Sequence, residues 1–291
     1  MQNKVYAQVY SLLRTFPQGL KEALKYFSEV GYDGVELIGT NTDGMTVEEL
    51  KNYLKELNLN VLVVTSMGKP GEMEFAREIG ASYLTAFLEH FEPTREALLP
   101  ICEELNKKGQ LYRDHGLTMV VHNHDDEFDW VIGEEGQTYV YDVILQNTDP
   151  DLVKLEFDTG WAARMGVDCA AFVRKYPGRF PLIHVKECVE VAKTRAEAEH
   201  FPSSIFNEGL PRDPKTGAPI LSDEIKHALD ESRNWNKALG KGVIDWKELV
   251  AAAEAQGCEA YISEREYYHY PESDGTAKGC AKLDYEYLRS L

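Results

Sequence analysis

Four short apolar runs of this 291-residue chain end in polar residues two apart: His122 and His124, Glu156 and Asp158, His184 and Lys186, Glu264 and Glu266. Side chains at i and i+2 of a strand leave the same face, so each pair is expected to project together from a strand's C-terminal end. Asp158, His184 and Glu264 then place a carboxylate, an imidazole and a second carboxylate on three successive strand ends. Converging ionisable groups repel one another or must be neutralised, and a shared cation does this. Mixed oxygen and nitrogen donors suit Mn²⁺, Co²⁺, Fe²⁺ or Zn²⁺ better than Ca²⁺. Any one of the three taken alone is an ordinary hydrogen-bonded strand-end residue, and the chemistry lies in the combination.

The elements that must carry these residues alternate regularly. Strand-like runs lie at 4–10, 33–38, 60–65, 82–88, 117–122, 152–157, 181–186 and 259–264. Between them run helical stripes at i, i+3, i+4 and i+7, such as Leu20, Ala23, Leu24 and Phe27, or Trp246, Leu249, Val250 and Ala253. Gly31, Gly80, Gly116 and Gly257 stand where a helix ends shortly before the next strand. These βα units predict an α/β protein, a single (β/α)8 TIM barrel occupying residues 1–291 as one domain. An open doubly wound sheet would carry a glycine fingerprint after its first strand, and Tyr10-Ser11-Leu12-Leu13-Arg14 has none. After strand seven the rhythm breaks with an insertion at 188–242, rich in turn residues, with a helical piece near 221–238. It falls over the C-terminal mouth, as a lid, a partner-docking loop or a tolerated surface insertion.

Composition narrows the classes. With 43% hydrophobic and 27% charged residues the chain is far from disorder and long enough for a full core. Its 49 acidic and 31 basic residues give a formal net charge of −18, with no local basic patch, so nucleic acid is not expected as a partner. No run reaches the roughly 18 apolar residues of a membrane span. The start MQNKVYAQVY lacks a secretory signal, which makes a cytoplasmic location the expectation. Cys102, Cys169, Cys188, Cys258 and Cys280 are odd in number and contain no C-x-x-C, as expected for reduced thiols.

The segments GYDGVELIG (31–39), VVHNHDDEF (120–128), LEFDTGWAARMG (155–166), PLIHVKE (181–187), GKGVIDW (240–246) and YISERE (261–266) resemble the sugar phosphate isomerase/epimerase family, the xylose-isomerase-like barrels. The likeness is nearest to the subgroup of inosose dehydratases and 3-oxo-glycoside-cleaving enzymes. It implies one divalent cation, Mn²⁺ in first place with Co²⁺, Mg²⁺, Fe²⁺ and Zn²⁺ as alternatives, held by Glu, Asp, His and Glu at the ends of strands five to eight. Asp158, His184 and Glu264 match the last three. Where many members carry the first Glu this chain has His122, so Glu127, just beyond, is taken as the fourth ligand, with His122 or His124 left as a base. Ligation by His122 itself is the alternative.

The reaction so implied is removal of a proton next to the carbonyl of a keto-sugar, cyclitol or 3-oxo-glycoside, through an enediolate stabilised by the metal. Epimerisation, isomerisation or β-elimination then follows. His124, His122 and Glu266 are the candidate bases. Lys186 adds positive charge beside the developing oxyanion or pairs with Glu264 or Glu266. Glu36 hydrogen-bonds a sugar hydroxyl or pairs with a nearby cation, and Trp161 stacks on a sugar face or packs in the core. The expected partners are the small-molecule substrate and either further copies of the chain or a small companion subunit. Competing readings are an endonuclease IV-like nuclease, which the charge opposes, a sugar-binding subunit without catalysis, and a metal-free glycosidase using Glu264 and Glu266.

Overall fold

The computed structural model describes residues 4–13, 19–88, 91–133, 138–193, 220, 222–223, 235–265 and 271–291. In chain order its strands are β1 (Lys4–Gln8), β2 (Gly34–Ile38), β3 (Asn60–Thr65), β4 (Tyr83–Ala86), β5 (Thr118–His122), β6 (Val153–Asp158), β7 (Leu182–Val185), β8 (Glu187–Cys188), β9 (Asn236–Lys237) and β10 (Ala260–Ser263). Eight of these close a parallel barrel in the order β1-β10-β7-β6-β5-β4-β3-β2. The barrel expected from the sequence is therefore present, with helices packed around it.

The helices form where the apolar stripes lie. Helix Leu20–Val30 buries Leu20, Ala23, Leu24 and Phe27, and its C-terminus turns at Gly31, whose φ of 107° suits a residue without a side chain. Burying each such Leu or Phe is worth about 1.5–3 kcal/mol. Helix Trp246–Ala255 starts on Asp245, whose carboxylate accepts the Glu248 N–H, and buries Trp246, Leu249, Val250 and Ala253. Inside the barrel Val120, Leu182 and Ile262 sit two residues before His122, His184 and Glu264, so they share a face with them. With Tyr6, Val63 and Tyr83 they form a separate apolar cluster, the floor on which the polar groups stand.

Of the 188–242 insertion, residues 194–219, 221 and 224–234 lie outside the described residues, and with them its expected role as lid or docking loop. Its two ends are described. Asn236 and Lys237, within the stretch expected to be helical to 238, instead form a short strand that pairs antiparallel with Cys188 and Glu187. Glu187 locks that ribbon: its carboxylate accepts the Trp246 indole N–H at 2.6 Å, the Cys188 N–H at 2.9 Å and the Gly240 N–H at 3.1 Å. Gly242 is needed beside it, since a Cβ there would lie 2.0 Å from the Cys188 carbonyl oxygen. All five cysteines are buried and unbridged. No helix among the described residues is long and apolar enough to cross a membrane.

Candidate functional site

Strand register brings the chemistry together. Asp158 on β6 lies opposite His184 on β7, and His184 lies opposite Ile262 on β10. Two residues further on, Lys186 and Glu264 rise from the same face. Asp158 also caps the short helix Thr159–Arg164, accepting from the N–H groups of Gly160 at 2.9 Å and Trp161 at 3.1 Å through Oδ1. That leaves Oδ2 turned to the mouth. His184 Nδ1 stands 3.6 Å from Asp158 Oδ2 and 3.3 Å from Glu264 Oε2. One donor atom from each of Asp158, His184 and Glu264 lies within 4.8 Å of the others, a spacing that fits a metal ion.

The hydrogen-bond state of these atoms supports that fit. Asp158 Oδ2 and His184 Nδ1 are both buried with no hydrogen-bond partner among the described residues. Buried polar atoms are nearly always bonded, so such atoms facing a common point are what a coordination site presents. Lys186 Nζ is 2.8 Å from Glu264 Oε2 and 3.2 Å from Asp158 Oδ2. Burial alone would raise the Asp158 carboxyl, but Lys186 first and then His184 outweigh it and hold it at about 2. The same two cations bring Glu264 well below the usual range against its own burial. Burial opposes the charged form of His184, yet Glu156, Asp158, Glu264 and Glu36 together lift it well above an ordinary histidine.

A second layer lies against the first. The Glu36 carboxylate meets His184 Nε2 at 3.2 Å and accepts the Thr65 hydroxyl. It is 1% exposed, so of the two roles open for Glu36 the geometry is that of pairing with a cation rather than reaching a sugar hydroxyl. A carboxylate on the far nitrogen of an imidazole orients the ring and selects its tautomer, leaving Nδ1 to face the seat. His122 repeats the arrangement: its Nδ1 is 2.9 Å from Glu156 Oε2, and its ring meets that of His184 edge-on with centroids 4.8 Å apart. Burial lowers His122, but the hydrogen bond and charge of Glu156, with the charge of Asp158, together outweigh it and its affinity for a proton is raised. His122, Glu156 and His184 also converge within 4.8 Å.

Other expected site residues fall elsewhere. Glu127, expected to fold back as the fourth ligand, sits on the turn Asp126–Phe128 and accepts the His124 N–H at 2.8 Å. It is in neither converging group, and its Oε2 is taken by that backbone bond. Burial pushes its carboxyl up to about 7, against the His124 N–H. The His124 ring stacks near Phe87 and meets the edge of Trp161, each with centroids 6.0 Å apart. Trp161 is fully buried against Trp235, with centroids 4.6 Å apart, so it packs rather than offering a face to a sugar. Glu266 lies outside the described residues. Glu156 and Phe87 were given no role from sequence. For Glu156 the signal was there, two residues before Asp158, whereas nothing in the local pattern marks Phe87.

Similar proteins agree with this architecture. The family model described as xylose isomerase-like TIM barrel matches residues 24–286. An inosose dehydratase of Halalkalibacterium halodurans is 30% identical over 157 residues, which are 53% of this chain and 47% of that protein. The chain thus spans about half the length of the curated relatives it matches. A sugar phosphate isomerase/epimerase from Parabacteroides distasonis superposes with a TM-score of 0.70 at 19% identity, covering 100% of this chain and 95% of that one. The IOLI protein, solved with a bound zinc atom, superposes with a TM-score of 0.65 at 14% identity over 99% and 97% of the two chains.

Proposed function

The chain belongs to the xylose isomerase-like TIM barrel family, and from that membership and the mouth of the barrel we propose a divalent-metal-dependent enzyme acting on a keto-sugar, cyclitol or 3-oxo-glycoside. Asp158, His184 and Glu264 would hold the ion, Mn²⁺ before Co²⁺, Mg²⁺, Fe²⁺ or Zn²⁺. The observation that carries this is the trio of donor atoms within 4.8 Å, two of them buried without a hydrogen bond. When bound, the ion supplies Lewis acidity to a carbonyl oxygen, which favours loss of the neighbouring C–H proton. His184 must shed its proton to ligate, so binding is expected to release a proton.

The chain's own groups do the rest. With Nδ1–H donated to Glu156, His122 keeps Nε2 as a proton acceptor, which makes it the favoured base of the three histidine and glutamate candidates. A positioned base of this kind is worth about 10²–10⁴-fold. Lys186 adds positive charge at the rim where oxyanion character develops. Phe87 and His124 contribute ring faces beside His122. In this reading Glu127 shapes the turn that carries His124, and Glu36 orients His184. The fate of the enediolate, whether reprotonation on the other face, isomerisation or β-elimination, depends on the substrate.

Metal analysis of the purified chain, followed by incubation with keto-sugars, inososes and 3-oxo-glycosides in D₂O, tests the proposal. About one divalent ion per chain and deuterium at the carbon beside a carbonyl are expected. A metal-replete preparation that exchanges no C–H bond in any of these classes would remove the proton-abstraction reading. A chain that takes up no divalent ion would remove the metal reading.

A further inference from the structure

Lys186 occupies a slot that the chain builds for it. Its side chain is 1% exposed, and its stem runs along Gly160, where a Cβ would lie 2.7 Å from both its Cβ and its Cγ and 3.0 Å from its Cδ. Gly160 is thus glycine for the room it leaves the lysine, since its φ is not in the left-handed region. Thr159 fixes the backbone of the same residue: its hydroxyl donates to the Lys186 carbonyl at 2.9 Å and accepts the Lys186 N–H at 3.3 Å. Trp161 closes the slot, its ring centroid 5.1 Å from Nζ. Three consecutive residues after Asp158 therefore aim one ammonium at Asp158 Oδ2 and Glu264 Oε2. Those are the oxygens turned toward the seat.

We propose that Lys186 is the resident cation of this seat: its ammonium neutralises Asp158 and Glu264 before a divalent ion arrives, and must give up at least one of the two oxygens when it does. The inference rests on the metal reading above. Two carboxylates buried beside each other are costly without a counter-charge, and a lysine tethered in place supplies one at all times. The same ammonium opposes an incoming dication by like-charge repulsion and by holding the ligand oxygens. Lys186 so trades metal affinity for a folded metal-free state.

Titration calorimetry with Mn²⁺ on the metal-stripped full chain, compared with Lys186→Met and Lys186→Gln, provides the test. Both variants are expected to bind Mn²⁺ about tenfold or more tighter than wild type, whereas Lys186→Arg, which keeps the charge, binds no tighter. Metal-free Lys186→Met is expected to melt below wild type and to gain more in Tm on Mn²⁺ addition. Affinity equal to or weaker than wild type in both neutral variants overturns the proposal. Absence of binding in wild type and variants alike instead removes the metal reading beneath it. Should the neutral variants not fold, a crystal structure of Mn²⁺-loaded wild type decides. Nζ moved off Asp158 Oδ2 or Glu264 Oε2 supports the inference, and an ion in the seat with both contacts kept overturns it.

Discussion

Glu264 and Arg265 follow one another at the end of β10, and their side chains enter two different buried ion pairs. Arg265 meets Asp284 through two N–H···O bonds of 2.7 Å, and Ser263 adds a third to the same carboxylate at 3.0 Å. Every oxygen of Asp284 is bonded. Glu264 instead shares Lys186 and His184 with Asp158 at 2.8 to 3.6 Å, with Asp158 Oδ2 and His184 Nδ1 left without hydrogen bonds. Both pairs are charged and buried, so neither property separates a structural pair from a site. The carboxylates do: Asp284 has both oxygens hydrogen-bonded and serves the fold, whereas Asp158 keeps one oxygen without a hydrogen bond and so has valence left for a ligand.

Substitution at each member of the pair should separate the two roles. The largest effect is expected from Glu264→Gln, which takes away an anionic ligand: metal content should fall from about one ion per chain toward none, read by mass spectrometry of metals after dialysis. A variant that retains its ion would show that Glu264 belongs with the structural kind. Arg265→Met leaves Asp284 buried and unpaired, and a loss of about 3–5 kcal/mol in urea melts is expected, with the metal content of the folded fraction unchanged. Adding Asp284→Leu should recover most of that loss, since an apolar pair needs no partner.

A third outcome concerns Glu127, a buried carboxyl on which burial outweighs the His124 N–H and the charge of His122. Its folded-state value near 7 lies above the ordinary 4.5, so the folded chain keeps a proton that the unfolded chain releases between those values. Its contribution is fully present below pH about 4.5 and is lost as pH rises toward 7, by about 3 kcal/mol at most. Glu127→Gln should remove that slope, making the variant more stable relative to wild type at pH 8 than at pH 5. A difference between the two proteins that does not change with pH would contradict the buried proton. The smallest effect is expected from Glu36→Gln, which weakens the orientation of His184 and should reduce metal affinity about 10–100-fold while the ion still binds. Unchanged affinity would mean that packing alone holds the ring.

Much of the site was legible because strand pleating is local. Alternation of side chains means that Asp158, His184 and Glu264 could be placed on one face of three strand ends from their spacing alone. The barrel was legible for the same reason, as the repeated apolar runs and helical stripes reflect which face each element must bury. Glu127 was read by a local rule, that a carboxylate near a strand end is available, and spacing could not show that its own turn also offers it a backbone N–H, the 2.8 Å bond from His124. Trp161 was ambiguous because an aromatic after a strand packs or stacks depending on what lies across from it. Here that is Trp235, 74 positions away by sequence number.

Local spacing along the chain was enough for the alternation of strands and helices, the face on which each polar pair leaves its strand, and the ligand chemistry available there. Tertiary structure alone decided which of those groups meet. Glu36 reaches His184 across 148 residues, and Lys186 reaches Glu264 because β7 and β10 pair in register around a closed barrel. Closure sets neighbours by long-range packing and hydrogen bonding, and no spacing along the chain encodes the distance between two strand ends.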